Sequence, residues 1–116
     1  MSNAADIALS AIRALDRAND VIANNIANVN TKGFQKSRAA TTQAAAGGVT
    51  VSVEQLSLPI DTVTLGGEGQ TAPPTSTVAL DEELIGLMAN GRSYEANIQT
   101  LKTTEEVQET LFDLFG

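Results

Sequence analysis

The chain has 116 residues and a mass of 12.1 kDa, enough for one domain near the lower limit of what a single hydrophobic core stabilises. It contains neither Cys nor His, which excludes disulfides, thiolate or imidazole metal sites, cysteine nucleophiles and any Ser/His/Asp arrangement. A net charge of −7, from 7 basic and 14 acidic residues, argues against a nucleic-acid partner, because a phosphate backbone demands a basic footprint.

Aromatic residues make up 3% of the chain, so burial must come from Leu, Ile, Val and Ala and the core is expected to be thin. No apolar run approaches the roughly 18 residues that span a bilayer, so direct membrane insertion is not expected. The start, Met1 to Asp6, lacks the basic and apolar segments of a cleaved secretory signal. No catalytic residue, cofactor or metal is expected, and the chain does not read as an enzyme.

The first predicted element is a helix over residues 4–29. Apolar or small residues recur at Ala8, Ile12, Leu15, Ile22, Ile26 and Val29, with Asn19 filling the missing step of a four-three repeat. Asn3, with Asp6 three residues later, can cap its start, and Gly33 lies just beyond its end. Such a helix is about 39 Å long and needs a partner for its apolar face.

Five amides crowd one stretch: Asn19, Asn24, Asn25, Asn28 and Asn30. Asn is a poor interior helix residue because its side chain competes for backbone hydrogen bonds. The stretch is therefore either a solvated, fraying helix end or an amide network between packed helices that fixes their register.

Beyond residue 38 the composition changes. Residues 39–48 are Ala, Thr, Gln and Gly; then Val49, Val51 and Val53 alternate with Thr50, Ser52 and Glu54, the period of a half-buried strand. Leu56, Leu58 and Ile60 continue the alternation, and Val63 with Leu65 suggest another short strand before Gly66, Gly67 and Gly69. The segment 70–77, with Pro73-Pro74, reads as a linker. The glycine cluster is a poor phosphate loop, because no helix N-terminus follows it.

The last predicted element is a helix over residues 80–115, opened by Asp81, Glu82 and Glu83 on the positive end of its dipole. Its seam runs Leu80, Leu84, Leu87, Gly91, Tyr94, Ile98 and Leu101, with Gly91 permitting close helix approach. After Leu101 the strict repeat falls on Glu105 and Gln108, whereas Val107, Leu111 and Leu114 carry the apolar face, a shift that predicts local over- or underwinding. Glu105, Glu106 and Glu109 read as a solvated face rather than metal ligands.

The expected fold is mainly α: long N- and C-terminal helices forming an antiparallel coiled-coil-like pair, with a small β-hairpin region and loops between them. Three segments form one structural unit: 1–38 with the first helix, 39–78 with the β region and linker, and 79–116 with the last helix. Charge divides similarly, at +2 over residues 1–40, −3 over 41–80 and −6 over 81–116. Opposite signs favour pairing of the two helices. The residues expected to pack them are Ile12, Leu15, Ile22, Ile26, Leu84, Leu87, Tyr94, Ile98, Leu101 and Leu111.

The run from Val21 through Ile22-Ala23-Asn24-Asn25-Ile26-Ala27-Asn28-Val29-Asn30-Thr31-Lys32-Gly33 to Phe34 closely resembles the N-terminal signature of bacterial flagellar rod and hook proteins. The run Arg92-Ser93-Tyr94-Glu95-Ala96-Asn97, leading to Leu101-Lys102-Thr103, resembles that family's C-terminal helix. The resemblance implies an axial structural protein of the flagellar basal body, exported without a cleaved signal by the flagellar type III apparatus into the periplasmic rod. Implied partners are copies of itself, other rod and hook subunits, and the export apparatus. Asn24, Asn25, Asn28, Asn30, Gly33 and Phe34 carry over as packing and turn residues.

Only about 45 residues separate the two helices, so the chain looks like a short member of the proximal-rod type, although Thr31 to Arg38 resembles the distal-rod and hook version. The alternative function is a soluble adaptor or export-linked binding protein that uses the same helices to engage a partner without polymerising.

Overall fold

A computed structural model describes residues 4–57 and 75–116. Two α-helices, α1 (Ala4–Ala27) and α2 (Leu80–Phe115), are separated by an antiparallel hairpin of β1 (Ser37–Gln43) and β2 (Val49–Gln55). The register runs without a break from Ser37 opposite Gln55 to Gln43 opposite Val49. The molecule is elongated, 83 × 25 × 14 Å.

Both helices fall where their periodicity places them. α1 stops two residues earlier than its apolar repeat, because the Asn28 side chain donates to Asn24 O (2.9 Å) and Thr31 Oγ1 donates to Asn28 Oδ1 (3.0 Å), winding the chain into a turn. α2 is an uninterrupted α-helix through residues 101–115, so the apolar shift after Leu101 is not accompanied by any change of helix type. Thr100, Thr103, Thr104 and Thr110 each donate to the carbonyl four residues back, at 2.8 to 3.0 Å. These hydroxyls are satisfied within the helix, which lets a Thr-rich stretch remain helical.

The hairpin differs from the sequence expectation. The strand at Val49–Gln55 forms, but its partner lies upstream at Ser37–Gln43, a stretch with no apolar alternation. Two glycines make the reversal possible. Gly47 and Gly48 have φ of 89° and 88°, a region costly for residues with a Cβ, and a Cβ on Gly48 would lie 2.5 Å from Ser10 Oγ. Leu56 leaves the strand, although its N–H still donates to Lys36 O (3.0 Å). The expected strand residues Leu58, Ile60, Val63 and Leu65, the glycines 66, 67 and 69, Pro73-Pro74 and the capping Asn3 lie outside the described residues.

α1 is the central element. The hairpin lies along one side of it: Asn25 bonds to Ser37 at one end, and Ser10 Oγ accepts from Val49 N–H (3.0 Å) at the other. α2 runs along another side in the opposite direction, so that Asn25 meets Glu83, Ile22 meets Gly86, Asn19 meets Asn90, and Ala4 lies beside Gln99–Thr104. Contact on two sides explains why Ala8, Ile12, Ala14, Val21 and Asn25 are all buried on α1, whereas Glu83 alone is buried on α2.

A polar joint between the helices as the candidate functional site

Asn25 is the most deeply buried large side chain among the described residues, at 1% exposure. Its Nδ2 donates to Ser37 O (2.8 Å) and to Glu83 Oε1 (3.2 Å), and its Oδ1 accepts from Ser37 N–H (2.9 Å). One amide thus joins α1, the start of β1 and the first turn of α2. Glu83, 8% exposed, is held there because its oxygen receives a donor at the point where the helices meet. Among the described residues no buried side-chain N or O atom lacks a partner, as burial of polar groups requires.

Two further contacts extend the joint. Asn90 Nδ2 donates to Asn19 Oδ1 (2.9 Å) across the helices, so the polar step in the α1 repeat faces a polar step in α2. Thr77 stitches the segment before α2 to the segment after α1: its N–H donates to Phe34 O (3.0 Å), and its Oγ1 accepts from Lys36 N–H (2.9 Å). Lys36 Nζ reaches Glu82 Oε2 at 2.9 Å, with Glu82 largely exposed, so this surface pair adds little. Beside these contacts, α1, β1 and the first turns of α2 enclose a cleft of about 420 Å³ lined by Val21, Ile22, Asn25, Arg38 and Glu83, among others.

Of the expected packing residues, Ile12 is buried, while Leu15, Ile22, Ile26, Leu87, Tyr94, Ile98 and Leu101 are half-buried. Leu84 and Leu111 are each 48% exposed. In the first turns of α2, Glu83, Gly86 and Asn90 make the contacts with α1, whereas Leu84 and Gly91 of the apolar repeat are exposed and Leu87 is half-buried. Gly91 is not the close-approach glycine, since a Cβ there would meet nothing within 4 Å. Gly86 is, with a Cβ position 3.2 Å from Ile22 Cδ1. The amides of α1 account for this: Asn25 and Asn19 draw polar partners across the interface, and Leu84 turns outward.

Of the signature residues, Asn25 and Asn28 are both engaged, Asn25 between elements and Asn28 locally with Asn24. Asn24 and Asn30 are exposed, and Gly33 and Phe34 are half-buried. Gly33, at φ 73°, turns the chain back toward β1, and Phe34 contributes the carbonyl that receives Thr77. Sequence reasoning missed Ser37, Thr77, Glu83, Gly86 and Asn90. Only Asn90 carried a usable signal, as an amide that a one-residue shift of the repeat would place opposite Asn19.

The site is a set of hydrogen bonds that fixes the relative position of three elements. Among the described residues there is no cluster of three or more groups able to hold a metal ion and no helix long and apolar enough to cross a membrane.

No curated protein matches the chain. Two family models do, one at each end. The model described as "Flagella basal body rod protein" matches residues 6–35, covering most of α1 and the turn after it. The model described as "Flagellar basal body rod FlgEFG protein C-terminal" matches residues 75–114, covering Thr77 and nearly all of α2. These segments of 30 and 40 residues hold Asn19, Asn25, Glu83 and Asn90 of the polar joint and together more than half of the 116-residue chain. The chain belongs to the flagellar basal-body rod family.

Proposed function

We propose that this protein is an axial structural subunit of the bacterial flagellar rod, which assembles through α1 and α2 with copies of itself and with other rod and hook subunits and transmits torque through their packing. Within each subunit the helices act as an antiparallel, coiled-coil-like pair whose register is set by the polar joint, and the chain reaches the periplasmic rod through the flagellar export apparatus. The role needs no chemistry of its own, in keeping with a site made of structural hydrogen bonds.

The observation that carries this reading is the outer face of α2. Leu84, Ile85 and Met88 are 48%, 66% and 65% exposed, directly behind the turns that hold Asn25 and Ile22. A helix apolar on the face turned away from its partner needs further neighbours, because exposed apolar patches mark interaction surfaces. Family membership supports those neighbours being rod-type subunits.

The test is replacement of Ile85 and Met88 by Lys. Neither residue faces α1, so helix content by circular dichroism should be retained while incorporation into isolated basal bodies and swimming are lost. Normal motility with the double variant incorporated would count decisively against assembly through this face.

A further inference from the structure

Among the described residues the hairpin leaves both of its edges open, in a pattern that a copy of itself would complete. In an antiparallel ladder successive residues alternate between facing the partner strand and facing outward. The bonds from Leu56 N–H to Lys36 O and from Ala44 N–H to Gly48 O set that alternation. With the register of Ser37 opposite Gln55, Arg38, Ala40 and Thr42 bond to β2. Ser37, Ala39, Thr41 and Gln43 face out from β1, and Val49, Val51, Val53 and Gln55 face out from β2.

Among the described residues, α1 bonds to the first outward position of each strand and to no other. The Asn25 side chain takes both backbone groups of Ser37, and Ser10 takes the N–H of Val49. Ala39, Thr41 and Gln43 remain on one edge and Val51, Val53 and Gln55 on the other, with no bond among the described residues reaching their outward N–H and C=O groups. Within the strands themselves neither edge carries the usual protection of charge, Pro or a bulge. Each strand has a single charged residue, Arg38 or Glu54, neither contains Pro, and the register shows no bulge.

We infer that these edges are docking surfaces for neighbouring copies of this chain, β2 of one copy adding to β1 of the next; the inference rests on the self-assembly reading and names where one of its contacts forms. Copies standing side by side in the same orientation bring β2 and the next β1 together antiparallel. The free positions then match one to one: Gln55 with Ala39, Val53 with Thr41, Val51 with Gln43, each pair exchanging two backbone bonds. This register sets Glu54 diagonal to Arg38 of the next copy, within reach of a cross-strand charge contact. Pairing of β1 with β1, or β2 with β2, uses one edge and stops at two copies. The β2-to-β1 contact uses both and repeats, as a heterologous interface does.

The absence of cysteine permits a direct test by disulfide trapping in concentrated full-length protein. The inferred register places Ser52 opposite Thr42 of the next copy at a close, non-hydrogen-bonded position, whereas within one copy Thr42 lies opposite Thr50 and Ser52 opposite Ala40. The double variant Thr42→Cys with Ser52→Cys should give an oxidised ladder of dimers, trimers and larger species, and each single variant should give none. Adding Thr41→Pro, which removes an outward N–H and spares the hairpin bonds, should abolish the ladder with circular dichroism unchanged.

Dimers from either single variant, an undiminished ladder with Thr41→Pro, or no ladder from the double variant would each overturn the edge contact. Thr41→Pro protein incorporated normally into basal bodies would also overturn it while leaving the rod reading intact. If basal bodies lacking this protein kept a complete rod, the rod reading itself would fail.

Discussion

The side chain of Asn25 binds both backbone polar groups of Ser37, accepting from its N–H at 2.9 Å and donating to its C=O at 2.8 Å. A helix side chain thus does for the first residue of β1 what a neighbouring strand would do. The second Nδ2 hydrogen goes to Glu83, so one substitution disturbs three elements together. Asn25→Leu should strand the Ser37 groups and the Glu83 carboxylate in a buried site. With about 1 to 3 kcal/mol at stake per unsatisfied buried group, the expected loss is about 3 kcal/mol in denaturant unfolding. A loss below about 1 kcal/mol would show that the joint does not hold the fold together.

The two glycines of α2 should respond in opposite senses to larger side chains. Gly91→Ala enters open space and gains the helix propensity difference between Gly and Ala, about 1 kcal/mol, so its melting temperature should rise. Gly86→Ala meets Ile22 Cδ1 at 3.2 Å, a contact that the end of a flexible side chain can relieve. It should be near neutral alone and stabilising when combined with Ile22→Val. Gly86→Leu should separate the helices, lowering the unfolding midpoint by far more than Gly91→Leu. Equal effects at the two positions would place the contact elsewhere.

Asn19 and Asn90 form the second polar step between the helices, at 2.9 Å. A double-mutant cycle with Asn19→Ala and Asn90→Ala should return a coupling of about 0.5 to 1.5 kcal/mol, the range of a neutral hydrogen bond that is partly shielded from water. Replacing both by Leu should match or exceed wild-type stability, since apolar packing recovers what the pair contributes, yet broaden the distribution of helix registers seen by spin-label distances. Unchanged distances together with unchanged stability would mean that Asn25 alone sets the register.

What could be read from the sequence was what depends on local period. The limits of α2, the start of α1 and the strand at Val49–Gln55 all follow from spacings of apolar residues. β1 could not be read that way, because Ser37–Gln43 contains only Ala among polar residues and is a strand through its partners: β2 along one edge and Asn25 at its first residue. The displaced interface on α2 was hidden for a related reason. Apolar periodicity points to Leu84 and Gly91, but the amides of α1 meet Glu83 and Asn90, one residue earlier. The density of Asn in α1 left a fraying end and a network as alternatives, and the partners of Asn25 and Asn19 depended on tertiary placement.

Thr77 gives the final test, because it decides where the connecting segment stops being replaceable. Its hydroxyl oxygen accepts from Lys36 N–H at 2.9 Å while its own N–H donates to Phe34 O at 3.0 Å, closing the chain just before α2 onto the chain just after α1. Thr77→Val keeps the shape and the N–H bond but leaves the half-buried Lys36 N–H without its acceptor, at an expected cost of about 1 to 2 kcal/mol; Thr77→Ser should recover most of it. Substituting residues 66–74 by a Gly/Ser linker of equal length should therefore leave the helical circular dichroism and the melting temperature nearly unchanged. Extending the replacement through residue 77, with Gly at that position, should lower the melting temperature at least as much as Thr77→Val does. A fall in helicity already with the shorter replacement would place the segment 66–74 within the folding core and remove Thr77 as its boundary.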